Sequence, residues 1–146
     1  MILTEAQIEN AASDLFLAEK NKVQIPLISK KFKSMTMEDA YSIQDSLVKK
    51  KIDSGLKIQG WKIGLTSKAM QDALKINIPD SGVLFNNMFF ENESDIPTKR
   101  FIQTRIEAEI AFVFKKELKG KNISRDEIID ATDYVLPALE ILDTRI

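Results

Sequence analysis

Apolar residues recur along the first part of the chain at helical spacing. Ile8, Ala11, Ala12, Leu15 and Phe16 fall on one face. Thr4, with Gln7 three residues on, has the capping-box pattern that starts a helix. Pro26 interrupts this pattern inside the loop-like stretch 21–29. A second helix is predicted from Thr36, with Asp39 in its first turn and Ala40, Ile43, Leu47 and Val48 as its apolar stripe. Lys49, Lys50 and Lys51 suit the negative end of that helix and read as a solvated terminus sooner than as an anion-binding patch. Gly55 is the stop signal.

Beyond Gly55 the period changes. Residues 58–65, short, apolar and containing two glycines, read as a strand. Thr66 or Ser67 caps a short helix through Leu74. Pro79, Asp80 and Gly82 read as a turn. Val83–Phe85 and Met88–Phe90 are predicted as short strands. Segment 105–114 alternates most clearly: Ile106, Ala108, Ile110, Phe112 and Phe114 share one face, and Glu107, Glu109, Ala111 and Val113 the other. Ser124 with Glu127 opens a further helix, with Ile128, Ile129 and Thr132 as its expected inner face. The last segment, 135–146, has strand character. Helices first and strands later, with helices between some strands, predict an α+β or mixed α/β fold.

Composition adds mainly exclusions. The chain has 146 residues, a length that suits one domain. Its 21 Lys and Arg against 22 Asp and Glu give a formal charge of −1 and argue against a nucleic-acid partner. There is no cysteine and no histidine, which removes Cys/His zinc sites and both Ser-His-Asp and Cys-His catalysis. Chemistry would fall to carboxylates, lysine, hydroxyls, backbone amides or a hard metal. No apolar run approaches the ~20 residues of a membrane span, and the first residues lack the pattern of a signal peptide. A cytoplasmic protein without a membrane partner is expected.

Three features stand out against this background. Glu107 and Glu109, at i and i+2 of a strand, point the same way about 6.5–7 Å apart. They fit either an exposed sheet face or the charged mouth of a cavity, since Ala111 and Val113 continue their face without charge. Glu140 lies inside an apolar strand, where a carboxylate is costly to bury unless paired. It faces water from an edge strand or converges with the other two; three carboxylates would select Mg²⁺ or Mn²⁺ over zinc. Lys62, with a glycine two residues to either side, is a snorkelling surface lysine or a fixed charge for an anionic substrate. By spacing alone, Asp80 is a turn residue sooner than a base.

Four motifs in register, GWKIGLTSKAMQ (60–71), PDSGVLF (79–85), RIEAEIAFVF (105–114) and PALEILDTRI (137–146), resemble the 2-keto-4-pentenoate hydratase group of the fumarylacetoacetate hydrolase superfamily. The resemblance covers essentially the whole chain. It implies a helical region over 1–57 and, over 58–146, the first part of a mixed β-barrel-like core that is incomplete at the C-terminus, because family members are much longer. It implies a Mg²⁺ or Mn²⁺ site on Glu107, Glu109 and Glu140. It places Lys62 and Asp80 as catalytic residues, with Lys62 holding the substrate carboxylate or an oxyanion and Asp80 moving a proton or orienting water. The implied reaction is addition of water to a 2-hydroxy-2,4-dienoate in aromatic-compound degradation, by a homo-oligomer acting on a small anionic 2-oxo or 2-hydroxy acid. The alternatives are metal-dependent decarboxylation of a 2-oxo-enedioate, or a truncated remnant that only binds or oligomerises. Carbon–carbon hydrolysis is disfavoured, because that branch of the superfamily usually relies on a histidine.

Overall fold

The computed structural model describes residues 2–146. Its elements are α1 (Glu5–Asn21), α2 (Ile28–Lys31), α3 (Met37–Asp53), β1 (Ile58–Gly64), α4 (Lys68–Leu74), β2 (Asp80–Phe85), β3 (Thr104–Phe114), α5 (Arg125–Ala131) and β4 (Thr132–Asp143). The chain divides into two compact units, one of Met1–Arg100 with Arg145–Ile146, the other of Phe101–Thr144.

In the first unit, α1 and α3 pack together through the apolar stripes that their periodicity sets. Leu3, Ile8, Ala11, Ala12 and Ile43 are buried, with Leu15 and Leu47 packed against them. Capping boxes start both helices: the Thr4–Gln7 box is the one its pattern predicts, and Thr36–Asp39 forms a second where an N-cap and a first-turn acid are expected. Asp39 does more than cap. Its fully buried carboxylate accepts from the backbone N–H groups of Ile2 and Leu3 at 2.8 and 3.0 Å, and from both the N–H and the hydroxyl of Thr36 at 2.9 Å. The start of the chain is thereby tied to the start of α3.

Lys51 departs from the expected solvated helix end. It is 3% exposed, and its ammonium donates to Glu19 at 2.7 Å and lies over the Phe85 ring. Glu19 also meets Arg145 at 2.7 Å. Of the three consecutive lysines only Lys51 is buried, beside Glu19; Lys50 pairs with Glu9 of α1 nearer the surface. Burial pushes the Lys51 ammonium below its ordinary range, and Glu19 opposes that shift.

β1 and β2 form an antiparallel pair within the same unit, with Lys62 opposite Gly82 and Gly64 opposite Asp80. The stretch around Asp80 is therefore strand rather than turn, and Met88 to Phe90 forms no strand, since Asn86–Met88 is a single 3₁₀ turn. Cross-strand pairing outweighs the local turn propensity of Pro79, Asp80 and Gly82.

The second unit is a long antiparallel ladder of β3 and β4, registering from Thr104–Asp143 to Phe114–Thr132. Asp143 closes its open end by accepting from the N–H groups of Ile102 and Gln103, both at 2.8 Å. In α5 the buried residue is Ala131, while Ile129, expected inside, is exposed. The ladder has one apolar face, on which Ile106, Ile110 and Leu139 are each more than 60% exposed. The described residues form two separate two-stranded sheets and no closed barrel, so the barrel-like core implied by the family resemblance is not formed here. A mixed helix-and-sheet fold is. No helix among the described residues is long and apolar enough to cross a membrane.

Candidate functional site

Glu107 and Glu109 are two apart on β3, and Glu140 stands directly across the ladder from Glu107. Alternation puts all three side chains on one face. One carboxylate oxygen from each comes within 4.8 Å of the other two. Glu107 and Glu109 are exposed and Glu140 is half-buried. Like charges directly opposite on a ladder are destabilising by themselves. A set of three oxygen donors without imidazole or thiolate fits a hard divalent cation such as Mg²⁺.

The sequence-predicted pair of the first unit also comes together. Lys62 Nζ lies 3.6 Å from Asp80 Oδ1, and the same oxygen accepts the N–H of Gly64 at 3.1 Å. Three of the six residues on this face of the β1–β2 ladder are glycines: Gly60, Gly64 and Gly82. Two of them make the room. A Cβ at Gly64 would stand 2.4 Å from Asp80 Oδ1 and 2.7 Å from Lys62 Nζ, and one at Gly82 would stand 3.3 Å from Lys62 Cγ. The lysine stem thus lies across Gly82, and its head shares the space over Gly64 with the aspartate. Asp80 caps no turn; it opens β2 and is held by the strand opposite.

Lys62 and Asp80 line a cleft of about 330 Å³ with residues of α3 and of the segment before β2. Sequence reasoning missed two polar members of that lining, Tyr41 and Gln44. They flank the apolar stripe of α3, where a polar side chain reads as solvent-facing. Here both turn to β2: Ser81 N–H donates to the Tyr41 hydroxyl at 3.1 Å, and Gln44 Nε2 donates to the Ser81 carbonyl at 3.0 Å. Gln71 closes the motif 60–71 but carries no signal of its own. Nearly buried on α4, it donates to the carbonyl of Leu65 at 2.7 Å, and Leu65 holds a left-handed backbone at φ 54° just after β1.

No family model matches the chain. Similar proteins nonetheless cover nearly all of it. It is 51% identical over 134 residues to a 2-oxo-hept-4-ene-1,7-dioate hydratase of Escherichia coli, covering 92% of this chain and 50% of that protein. It is 38% identical over 144 residues to a 2-keto-4-pentenoate hydratase of Paraburkholderia xenovorans, covering 99% of the chain and 54% of the relative. Among solved structures, the 4-oxalocrotonate decarboxylase of Pseudomonas putida G7, complexed with magnesium and adipate, superposes with a TM-score of 0.91. The two are 34% identical over 98% of this chain and 54% of that one. The chain spans about half the length of the curated relatives it matches. Fold and sequence thus place it in one family with these hydratases and this decarboxylase. Within them, the chain belongs to the 2-keto-4-pentenoate hydratase group.

Proposed function

We propose that this chain carries the metal-holding carboxylates and the lysine–aspartate pair of a divalent-cation-dependent hydratase. Its substrate is a 2-hydroxy-2,4-dienoate of the 2-keto-4-pentenoate type, to which it adds water. The observation that carries the reading is the convergence of Glu107, Glu109 and Glu140 from two strands onto one spot. These three would hold Mg²⁺ or Mn²⁺, which when bound supplies Lewis-acid polarisation of the acid's oxygen atoms. Lys62 supplies a fixed positive charge to the anionic substrate or to a developing oxyanion. Asp80, its Oδ1 engaged by the Gly64 N–H, moves a proton through Oδ2 or orients the incoming water there. In this reading the dienol ketonises by protonation at carbon, and the unsaturated ketone then accepts water by conjugate addition. A helical region over 1–57 that precedes a core beginning at residue 58, a homo-oligomeric state and a cytoplasmic location belong to the same reading.

A second reading is decarboxylation of a 2-oxo-enedioate. It is favoured by the likeness to 4-oxalocrotonate decarboxylase. Both readings share the carboxylate set and differ in whether water enters or CO₂ leaves.

Calorimetric titration with Mn²⁺, on this chain and on Glu109→Gln, tests the site. About one ion per chain, lost in the variant, is expected. Unchanged affinity in the variant would refute the ligand assignment, and no binding to the parent chain would refute metal-dependent catalysis by this chain. Incubation with 2-hydroxypent-2,4-dienoate and with 4-oxalocrotonate, followed by product analysis and CO₂ detection, separates hydratase from decarboxylase.

A further inference from the structure

α3 is the helix that lines the cleft, and it is anchored at three points. Asp39 fixes its first turn to residues 2 and 3, Ile43 is buried against α1, and Lys51 is tied to Glu19 near its end. Between these anchors, Tyr41 and Gln44 lie three residues apart and so share a face. That face meets β2 at Ser81, the residue between Asp80 and Gly82. The two hydrogen bonds fall on different peptide planes. The Ser81 N–H belongs to the plane joined to the Asp80 Cα, and the Ser81 carbonyl belongs to the plane that leads into Gly82. Gly82 is where the Lys62 stem crosses, and Asp80 meets both the Lys62 head and the Gly64 N–H.

We infer that Tyr41 and Gln44 are positioning residues for the Lys62–Asp80 pair, acting through the two peptide planes of Ser81. The backbone polar groups that one edge of β2 presents, open to water or to a third strand in an ordinary sheet, are here held by side chains of a rigid helix. Neither tyrosine nor glutamine needs to touch substrate for this role. Their hold sets where the Asp80 carboxylate sits over Gly64, and a displacement of about 1 Å in a reacting group costs on the order of 10²-fold in rate. The inference rests on the proposed hydratase reading for its catalytic consequence, but not for its structural one.

The test uses the ¹⁵N-labelled chain with Tyr41→Phe, Gln44→Leu and the double variant, with thermal unfolding as a check that each folds. Two amides are read. Exchange of the Ser81 amide reports the hold itself, and the chemical shift of the Gly64 amide reports the hydrogen bond to Asp80. Tyr41→Phe is expected to speed Ser81 exchange at least ~10-fold and to move the Gly64 resonance, and the double variant to move it further. Hydration of 2-hydroxypent-2,4-dienoate should lose kcat by about tenfold or more with KM nearly unchanged, while Mn²⁺ affinity stays at the parent value. Faster Ser81 exchange with an unmoved Gly64 resonance would overturn the inference, leaving the two side chains as packing alone. Unchanged Ser81 exchange would overturn it as well. A parent chain without hydratase activity would refute the proposed function, while the amide readouts would still decide the positioning role.

Discussion

Gly64→Ala separates function from stability at a single atom. The new Cβ would stand 2.4 Å from Asp80 Oδ1, against ordinary contacts that begin near 3.4 Å, so that oxygen must retreat by about 1 Å. The Lys62 ammonium, 2.7 Å from the same point, must also move. Both obstacles are the far ends of side chains, so the backbone can stay in place. The Gly64 N–H loses a hydrogen bond worth about 1 kcal/mol. The half-exposed Lys62–Asp80 ion pair is worth roughly 0–1 kcal/mol. Alanine offsets this by restricting the unfolded chain, which contributes about 0.4–1 kcal/mol. The net change in stability is therefore close to zero, within about 1 kcal/mol, whereas a 1 Å displacement of Asp80 costs on the order of 10²-fold in turnover. The paired assay is a urea midpoint with hydratase kinetics, and Mn²⁺ calorimetry as a control for the carboxylate site. The expected result is an unchanged midpoint, unchanged Mn²⁺ affinity and a turnover near one hundredth of the parent value. Full activity in a folded Gly64→Ala chain would refute the account of Gly64 as the residue that makes room for the pair. A loss of several kcal/mol would show that the backbone had moved.

Other perturbations follow from the same geometry. Glu19→Gln strands the buried Lys51 ammonium and should cost about 2–4 kcal/mol at pH 7 by urea unfolding. Burial holds the folded Lys51 below its ordinary range, further once Glu19 is gone, so the unfolded chain binds more protons as pH climbs towards that range. The deficit against wild type should therefore narrow between pH 7 and 9.5. Burial pushes Asp39 up, but the backbone N–H groups of Leu3, Thr36 and Ile2 and the Thr36 hydroxyl hold its carboxyl well below the usual range. Its contribution is present above the unfolded carboxyl range and lost as pH falls towards the folded value. The stability gap between wild type and Asp39→Asn should then shrink from pH 7 to pH 3, and a constant gap would refute this. Thr4→Ala removes the acceptor of the α1 capping box and should cost about 1 kcal/mol, read as a lowered Tm.

Elements governed by local rules were legible in the residues alone. The 3.6-residue period and the Thr4, Thr36 and Ser124 caps located the longer helices and α5, because caps and amphipathic stripes are decided within a few residues. Period-2 alternation put Glu107 and Glu109 on one face of a strand for the same reason. Strand context marked Glu140 and flanking glycines marked Lys62, and the motif resemblance assigned roles to both and to Asp80. Which distant groups meet was settled by packing and strand pairing. Strand register, fixed by pairing between residues far apart in sequence, set Glu140 across from Glu107. It also turned the expected turn at Asp80 into a strand lying against Gly64. Helix packing drew Lys51 inward to Glu19, although its two neighbours gave no sign of it. It also turned Tyr41 and Gln44, polar residues that read as surface, onto the backbone of β2. A sequence carries propensities and faces, whereas partnership depends on where the chain returns in space.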